Sequence, residues 1–178
     1  MKVLVMNCSP VRNGATAEIV NIVTARLEKK HDVKNICIDD YDIKFCKGCR
    51  TCHNTAKCVQ NDDVDRIIEQ YEWADIVISV SPSYWADVPG QFKSFIDRCT
   101  PWCNTHEPHA KLSSGKKGYV IALRTGRGMK ECERIIATIE HFMDIWKLNV
   151  VIDLACVRWN IRKIWNAGEK RSRNSVTV

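Results

Sequence analysis

No stretch of this 178-residue chain approaches the ~20 consecutive apolar residues that a membrane helix needs, so nothing in it reads as a membrane span. The apolar start, Met1 to Met6, turns polar at Asn7, too early for the core of a secretory signal, and the expected location is cytoplasmic. Internal repeats and low-complexity segments are missing, so the length reads as one domain with a full core. Neither G-x-x-x-x-G-K-[ST] nor a G-x-G-x-x-G after the first strand occurs, which excludes the two commonest phosphate loops. Cys8 and Arg12 are spaced C-x3-R, too short for the C-x5-R loop of the low-molecular-weight phosphatases. His31, His106, His109 and His141 show no triad or metal spacing, and Asp39-Asp40 and Asp62-Asp63 read as turn and cap residues. Acid is nearly absent from residues 158–178: six basic residues stand against Glu169, so +5 of the net charge of +6 belongs to this end. A basic tail of that kind is a solvated end or a contact for an acidic partner; nucleic acid is the less favoured partner.

What is present is ordinary in bulk and unusual in one place. A hydrophobic share of 45% with 27% charged residues is that of a soluble globular protein. The ten cysteines accompany an α/β pattern, where reduced thiols are expected rather than a disulfide framework. Cys37, Cys99, Cys132 and Cys156 fall on apolar faces and read as small buried hydrophobes. The other notable group is Cys46, Cys49, Cys52 and Cys58, a C-x2-C-x2-C-x5-C run within 13 residues. Four soft thiolates so close together can converge on one soft centre, an iron–sulfur cluster or zinc. Plain reduced thiols are the third reading. His53, beside Cys52, reads as exposed.

Short apolar runs alternate with amphipathic stretches. Strands are expected at Val3–Met6, Val33–Ile38, Asp75–Val80, Tyr119–Leu123 and Val150–Val157. Helices are expected from Ala15 to Lys30, from Val64, from Pro89, and from the Gly126-Arg127-Gly128 turn to about Lys147. Residues 41–61 form a long connection that holds the cysteine run, and 100–117 a surface excursion. Strand–helix alternation implies a doubly wound parallel sheet, and five strands suit the flavodoxin-like order 2-1-3-4-5. Such sheets bind ligands at the carboxyl ends of their strands, where three loops attract attention. Ser9-Pro10-Val11-Arg12-Asn13-Gly14-Ala15-Thr16 offers backbone N–H groups, hydroxyls and a cation to a phosphate. Tyr84 and Trp85, in Ser81 to Pro89, can flank a flat ring. Thr125-Gly126-Arg127-Gly128 can bring backbone and a cation to the same crevice.

The segments Asn7 to Gly14, Cys46 to Asp63, Pro82-Ser83-Tyr84-Trp85 and Lys93 to Arg98 resemble the flavodoxin-like NAD(P)H-dependent FMN reductases, and among them the iron–sulfur flavoproteins. The resemblance covers residues 1–157, a flavin-binding domain with a cysteine-rich insertion at 45–61, followed by a tail at 158–178. It implies FMN, its phosphate on Ser9, Arg12, Asn13, Gly14, Ala15 and Thr16. Its isoalloxazine would lie on Pro82, Ser83, Tyr84, Trp85, Ala86, Thr125, Gly126, Arg127 and Gly128. It implies a 4Fe–4S cluster on Cys46, Cys49, Cys52 and Cys58, with NAD(P)H or an electron carrier as donor and a small molecule or protein as acceptor. The family pattern has glycine, a basic residue and often asparagine where this chain has Cys8, Val11 and Ala15. No side chain needs to act as a general acid, so none is named as catalytic. The implied protein is an FMN oxidoreductase and a homo-oligomer, a dimer or tetramer. Its alternatives are an FMN-only quinone or flavin reductase with free thiols, and, in another class, a metal-stapled α/β binding module.

Overall fold

The computed structural model describes residues 1–126, 129–146, 149–150 and 155–158. Strand β1 (Lys2–Asn7) is central: β2 (Asp32–Cys37) and β3 (Ile76–Pro82) pair parallel on its two sides. A strand covered on both faces reads as a continuous apolar run, and Val3, Leu4, Val5 and Met6 are fully buried. Strand β4 (Lys117–Arg124) pairs parallel with β3, which gives the flavodoxin-like order 2-1-3-4. Beyond it, β5 (Asn149–Val150) pairs with the Lys117 end of β4 and β6 (Ala155–Arg158) with the Arg124 end. The single fifth strand expected over 150–157 is thus seen only as these two segments, because 151–154 lie outside the described residues, as does the tail from 159.

Helix α1 (Ala15–Leu27) covers one face of the sheet, setting Ile19, Val20, Val23 and Leu27 against Val3, Val5 and Val80. The opposite face carries α3 (Val64–Trp73), α4 (Gly90–Arg98) and α5 (Lys130–Ile145). There Tyr71, Phe92, Phe95, Phe142 and Trp146 form one aromatic cluster, with Phe142 and Trp146 centroids 4.4 Å apart. Helix α5 lies close to β4: a Cβ on Gly118 would come within 2.6 Å of Met143 Sδ.

Two departures from expectation are local. The second strand ends at Cys37, and Ile38–Asp40 forms a 3-10 turn that buries Ile38. The 41–61 connection is not structureless, since Thr51–Thr55 forms a short helix, α2. The reduced-thiol expectation holds for eight cysteines, which are free, but Cys132 is disulfide-bonded. No helix among the described residues is long and apolar enough to cross a membrane.

Candidate functional site

Parallel pairing brings the carboxyl ends of β1, β3 and β4 together, and the ladder continues into the loops. Cys8 N–H donates to the Val80 carbonyl at 2.9 Å, and Ser83 N–H to the Leu123 carbonyl at 2.8 Å. The three expected loops therefore start from one fixed edge.

The first loop is wound by its own side chains. Asn7 Oδ1 accepts from Ser9 N–H at 3.0 Å and Ser9 Oγ from Val11 N–H at 3.1 Å, two successive side-chain turns. The loop ends at Gly14, the N-cap of α1, where no side chain caps the helix. A Cβ at Gly14 would stand 3.0 Å from Val11 Cγ1, so the position suits glycine. The free N–H groups of the first turn, with the buried Thr16 beside them, fit an anionic group such as the FMN phosphate. Arg12 is placed differently from expectation: its Nε donates to Asp39 at 2.8 Å and its Nη1 pairs with Asp40. Its charge is shared with two carboxylates of the turn after β2, which pins the loop to that turn. Burial pushes the Cys8 thiol well up, so it is no nucleophile at this loop.

The second loop is a two-residue hairpin. Tyr84 and Asp87 exchange backbone hydrogen bonds at 2.9 and 3.1 Å, and Trp85 and Ala86 between them have φ of 55° and 63°. Neither is glycine, and left-handed backbone at non-glycine positions is strained and concentrates at functional sites. The hairpin displays Trp85 fully to solvent, with Tyr84 partly exposed beside it. A flat aromatic held there fits a planar ring system. Of the third loop, Thr125 and Gly126 are exposed, while Arg127 and Gly128 lie outside the described residues. Sequence reasoning missed Arg124 at the end of β4. It is buried; its Nη1 donates to the Gly126 carbonyl and its Nε has no partner among the described residues.

The cysteine run forms a lobe with a closed neck. Asp42 and Asp63 exchange hydrogen bonds at 2.9 and 3.0 Å, and Lys44 N–H donates to Asp62 Oδ2 at 3.0 Å. The two aspartates expected to cap α3 clamp this neck; Asp62 also accepts from Val64 N–H at 3.3 Å. Within the lobe the backbone reverses at Gly48, Arg50 and Ala56, with φ of 63°, 58° and 55°. These reversals bring Cys46, Cys49, Cys52 and Cys58 to one cavity, lined also by Asp97, Arg98 and Pro101. Gly48 N–H points to Cys46 Sγ at 3.5 Å and the Thr51 hydroxyl to Cys49 Sγ at 3.5 Å. The Thr51 bond lowers the Cys49 thiol pKa, whereas burial and then the neighbouring thiols, Cys58 first, raise that of Cys52. Four thiols around one cavity, two with donors already aimed at sulfur, fit a thiolate-ligated cluster. Among the described residues no three His, Cys, Asp or Glu side chains are arranged for a single metal ion.

Arg98 was also missed. It flanks the apolar stripe of α4 and ends the Lys93 to Arg98 segment, which is read for its resemblance and not for a site role. It pairs with Asp62, both side chains 1% exposed, and donates to the Lys44 carbonyl at 2.8 Å. Burial alone would push the Asp62 carboxyl up; the bonds from Arg98 and from the Lys44 and Val64 N–H groups outweigh it and hold it low. His53, exposed as expected, stacks on His106 at 4.2 Å and ties the lobe to the 100–116 excursion.

A parallel sheet with ligand-ready loops at its carboxyl edge and a thiol-lined cavity beside α4 defines a flavodoxin-like redox scaffold. The sequence profile of the family described as NADPH-dependent FMN reductase matches residues 1–154, and the chain belongs to that family. It is 34% identical over 154 residues to an iron-sulfur flavoprotein of Methanocaldococcus jannaschii, covering 86% of this chain and 77% of the other. It is 35% identical over 132 residues to an iron-sulfur flavoprotein of Archaeoglobus fulgidus, covering 74% of this chain but only 58% of that one. Among solved structures, an NAD(P)H:quinone oxidoreductase from Methanothermobacter marburgensis superposes with a TM-score of 0.67 at 14% identity, over 100% of this chain and 99% of the other. At that identity the likeness shows the fold alone.

Proposed function

We propose that this chain is an FMN-dependent oxidoreductase that draws electrons from NAD(P)H or a reduced carrier, with a 4Fe–4S cluster in the cysteine lobe relaying single electrons to or from a partner. The observation that carries the flavin reading is the junction of an uncapped helix N-terminus with a strained aromatic hairpin at one sheet edge. In this reading Ser9, Asn13, Gly14, Ala15 and Thr16 hold the phosphate, and Arg12 fixes the loop through Asp39 and Asp40. Pro82, Ser83, Tyr84, Trp85 and Ala86 hold one side of the ring, and Thr125, Gly126, Arg127 and Gly128 the other. Bound FMN supplies hydride acceptance and single-electron transfer, chemistry that no side chain here provides. The protein's part is to bind, orient and shield. The carrying observation for the cluster is the meeting of Cys46, Cys49, Cys52 and Cys58 at one cavity.

Residues 1–157 act as one flavin-binding domain with the lobe as an insertion, and 158–178 as a basic tail. The fully exposed Trp85 supports a dimer or tetramer in which a second copy covers the flavin edge. The reading places the protein in the cytoplasm. A second reading, an FMN-only quinone or flavin reductase with free thiols, is favoured by the solvent exposure of Cys46 and Cys49. The absorption spectrum of protein purified without air tests all of this. Flavin bands with iron and sulfide support the first reading, and flavin alone the second. A colourless protein that binds no added FMN would overturn both.

A further inference from the structure

We propose that Arg98 is a positioning residue of the cysteine site, whose Nε–H is the hydrogen-bond donor to the thiolate-ligated group held by Cys46, Cys49, Cys52 and Cys58. The proposal rests on the iron–sulfur reading and deepens it. Arg98 is 2% exposed, and its terminal nitrogens are accounted for: Nη1 by the Lys44 carbonyl and Asp62, Nη2 by Asp62 Oδ1 at 3.0 Å. Its Nε is buried with no partner among the described residues. A buried donor without an acceptor is costly and rare in native structures. A structural Arg–Asp pair explains the Nη atoms and leaves Nε unexplained. The side chain lines the same cavity as the four cysteines, Cys58 among them. An acceptor in the cavity, a sulfur atom carrying negative charge, completes the site.

The fixed orientation follows from the fold. Asp62 belongs to the neck of the lobe and Arg98 to the last turn of α4, so the ion pair that closes the neck also holds the Arg98 side chain at the wall of the cavity. Asp62 neutralises the guanidinium at longer range, which leaves the local N–H as the main influence on the centre. A donor at a ligating sulfur favours the reduced, more negative form and raises the reduction potential.

The test begins with anaerobically reconstituted parent protein, its iron and sulfide counted before any potential is measured. Arg98→Lys keeps a partner for Asp62 and removes Nε; Asp62→Asn with Arg98→Gln removes both charges together. The expected result is parental iron and sulfide in both variants, with the reduction equilibrium about tenfold less favourable, a drop of about 59 mV for one electron. Pulsed EPR of the reduced parent labelled with 15N-arginine, which needs no variant to fold, is expected to show nitrogen coupling to the centre. Iron-loaded variants that titrate at the parental potential would overturn the proposal alone, as would a parent without that coupling. Folded variants that lose their iron would also overturn it, because Arg98 would then build the site rather than tune it. A parent that takes up no iron and sulfide overturns the iron–sulfur reading, and the proposal with it.

Discussion

Ser83 donates its backbone N–H to the carbonyl oxygen of Leu123 at 2.8 Å, one residue past the end of β3. The sheet thus holds the base of the Tyr84–Asp87 hairpin, and the strain at its tip cannot relax by swinging the loop away. That is how Trp85 and Ala86 are kept in left-handed backbone without glycine.

Replacing Ala86 with glycine is expected to relieve part of this strain. The left-handed penalty of roughly 1–2 kcal/mol, less the entropy that glycine loses on folding, leaves a gain of about 0.5–1 kcal/mol. Urea unfolding is expected to show a higher midpoint with an unchanged slope. A midpoint at or below that of the parent would mean that the tip stores no strain.

Thr16 is buried beside the first turn of α1, whereas the Arg12 guanidinium is exposed and engaged with Asp39 and Asp40. Thr16→Val is therefore expected to weaken FMN binding by about 1 kcal/mol, the size of one hydrogen bond. Arg12→Ala is expected to weaken it less. Quenching of flavin fluorescence measures both, and the reverse order would show that Arg12 leaves its carboxylates for the phosphate.

Asp62 and Arg98 form a buried pair, and the Asp62 carboxyl is held below its ordinary value. A depressed carboxyl contributes stability that is full above the ordinary carboxylate range, about pH 4, and fades as pH falls through the lowered value. Asp62→Asn strands a buried guanidinium and is expected to cost about 3–5 kcal/mol at pH 7. The gap between variant and parent should narrow below about pH 4. Urea melts across that range decide, and a gap that stays constant would mean that the pair does not couple to protons.

Cys49 is exposed, and its sulfur accepts from Thr51. If the four thiols serve one centre, Cys49→Ala removes iron and sulfide together from anaerobic preparations while leaving FMN bound. Retention of half or more of the parental iron would break the idea of a four-thiol unit.

The sheet order was legible because Val3–Met6 is an unbroken apolar run, Ile76–Val80 is interrupted only by Ser79, and the helices between them carry clean stripes. The loops at the carboxyl edge were legible for the same reason, since strand ends set their positions. What escaped was the pairing of distant polar residues. Asp62 and Asp63 carry the local signature of caps, and only the tertiary fold shows them clamping the neck of the lobe through Asp42 and Lys44. Arg12, two residues before Gly14, reads as a phosphate ligand until the turn after β2 sets two carboxylates against it. Arg98 and Arg124 look like surface charges because burial of a single guanidinium leaves no periodic trace.

Helix α4 begins just past the aromatic hairpin at Gly90 and ends at the cysteine cavity with Arg98. Its nine residues make a rod of about 13 Å, at 1.5 Å per residue. If the proposed flavin sits at one end and the proposed cluster at the other, this rod would act as a ruler: the spacing of the two centres would be set by a count of helical turns. Adding one turn to α4 would lengthen the gap by about 5.4 Å without altering either pocket, a handle on electron-transfer rate separate from the chemistry at either end.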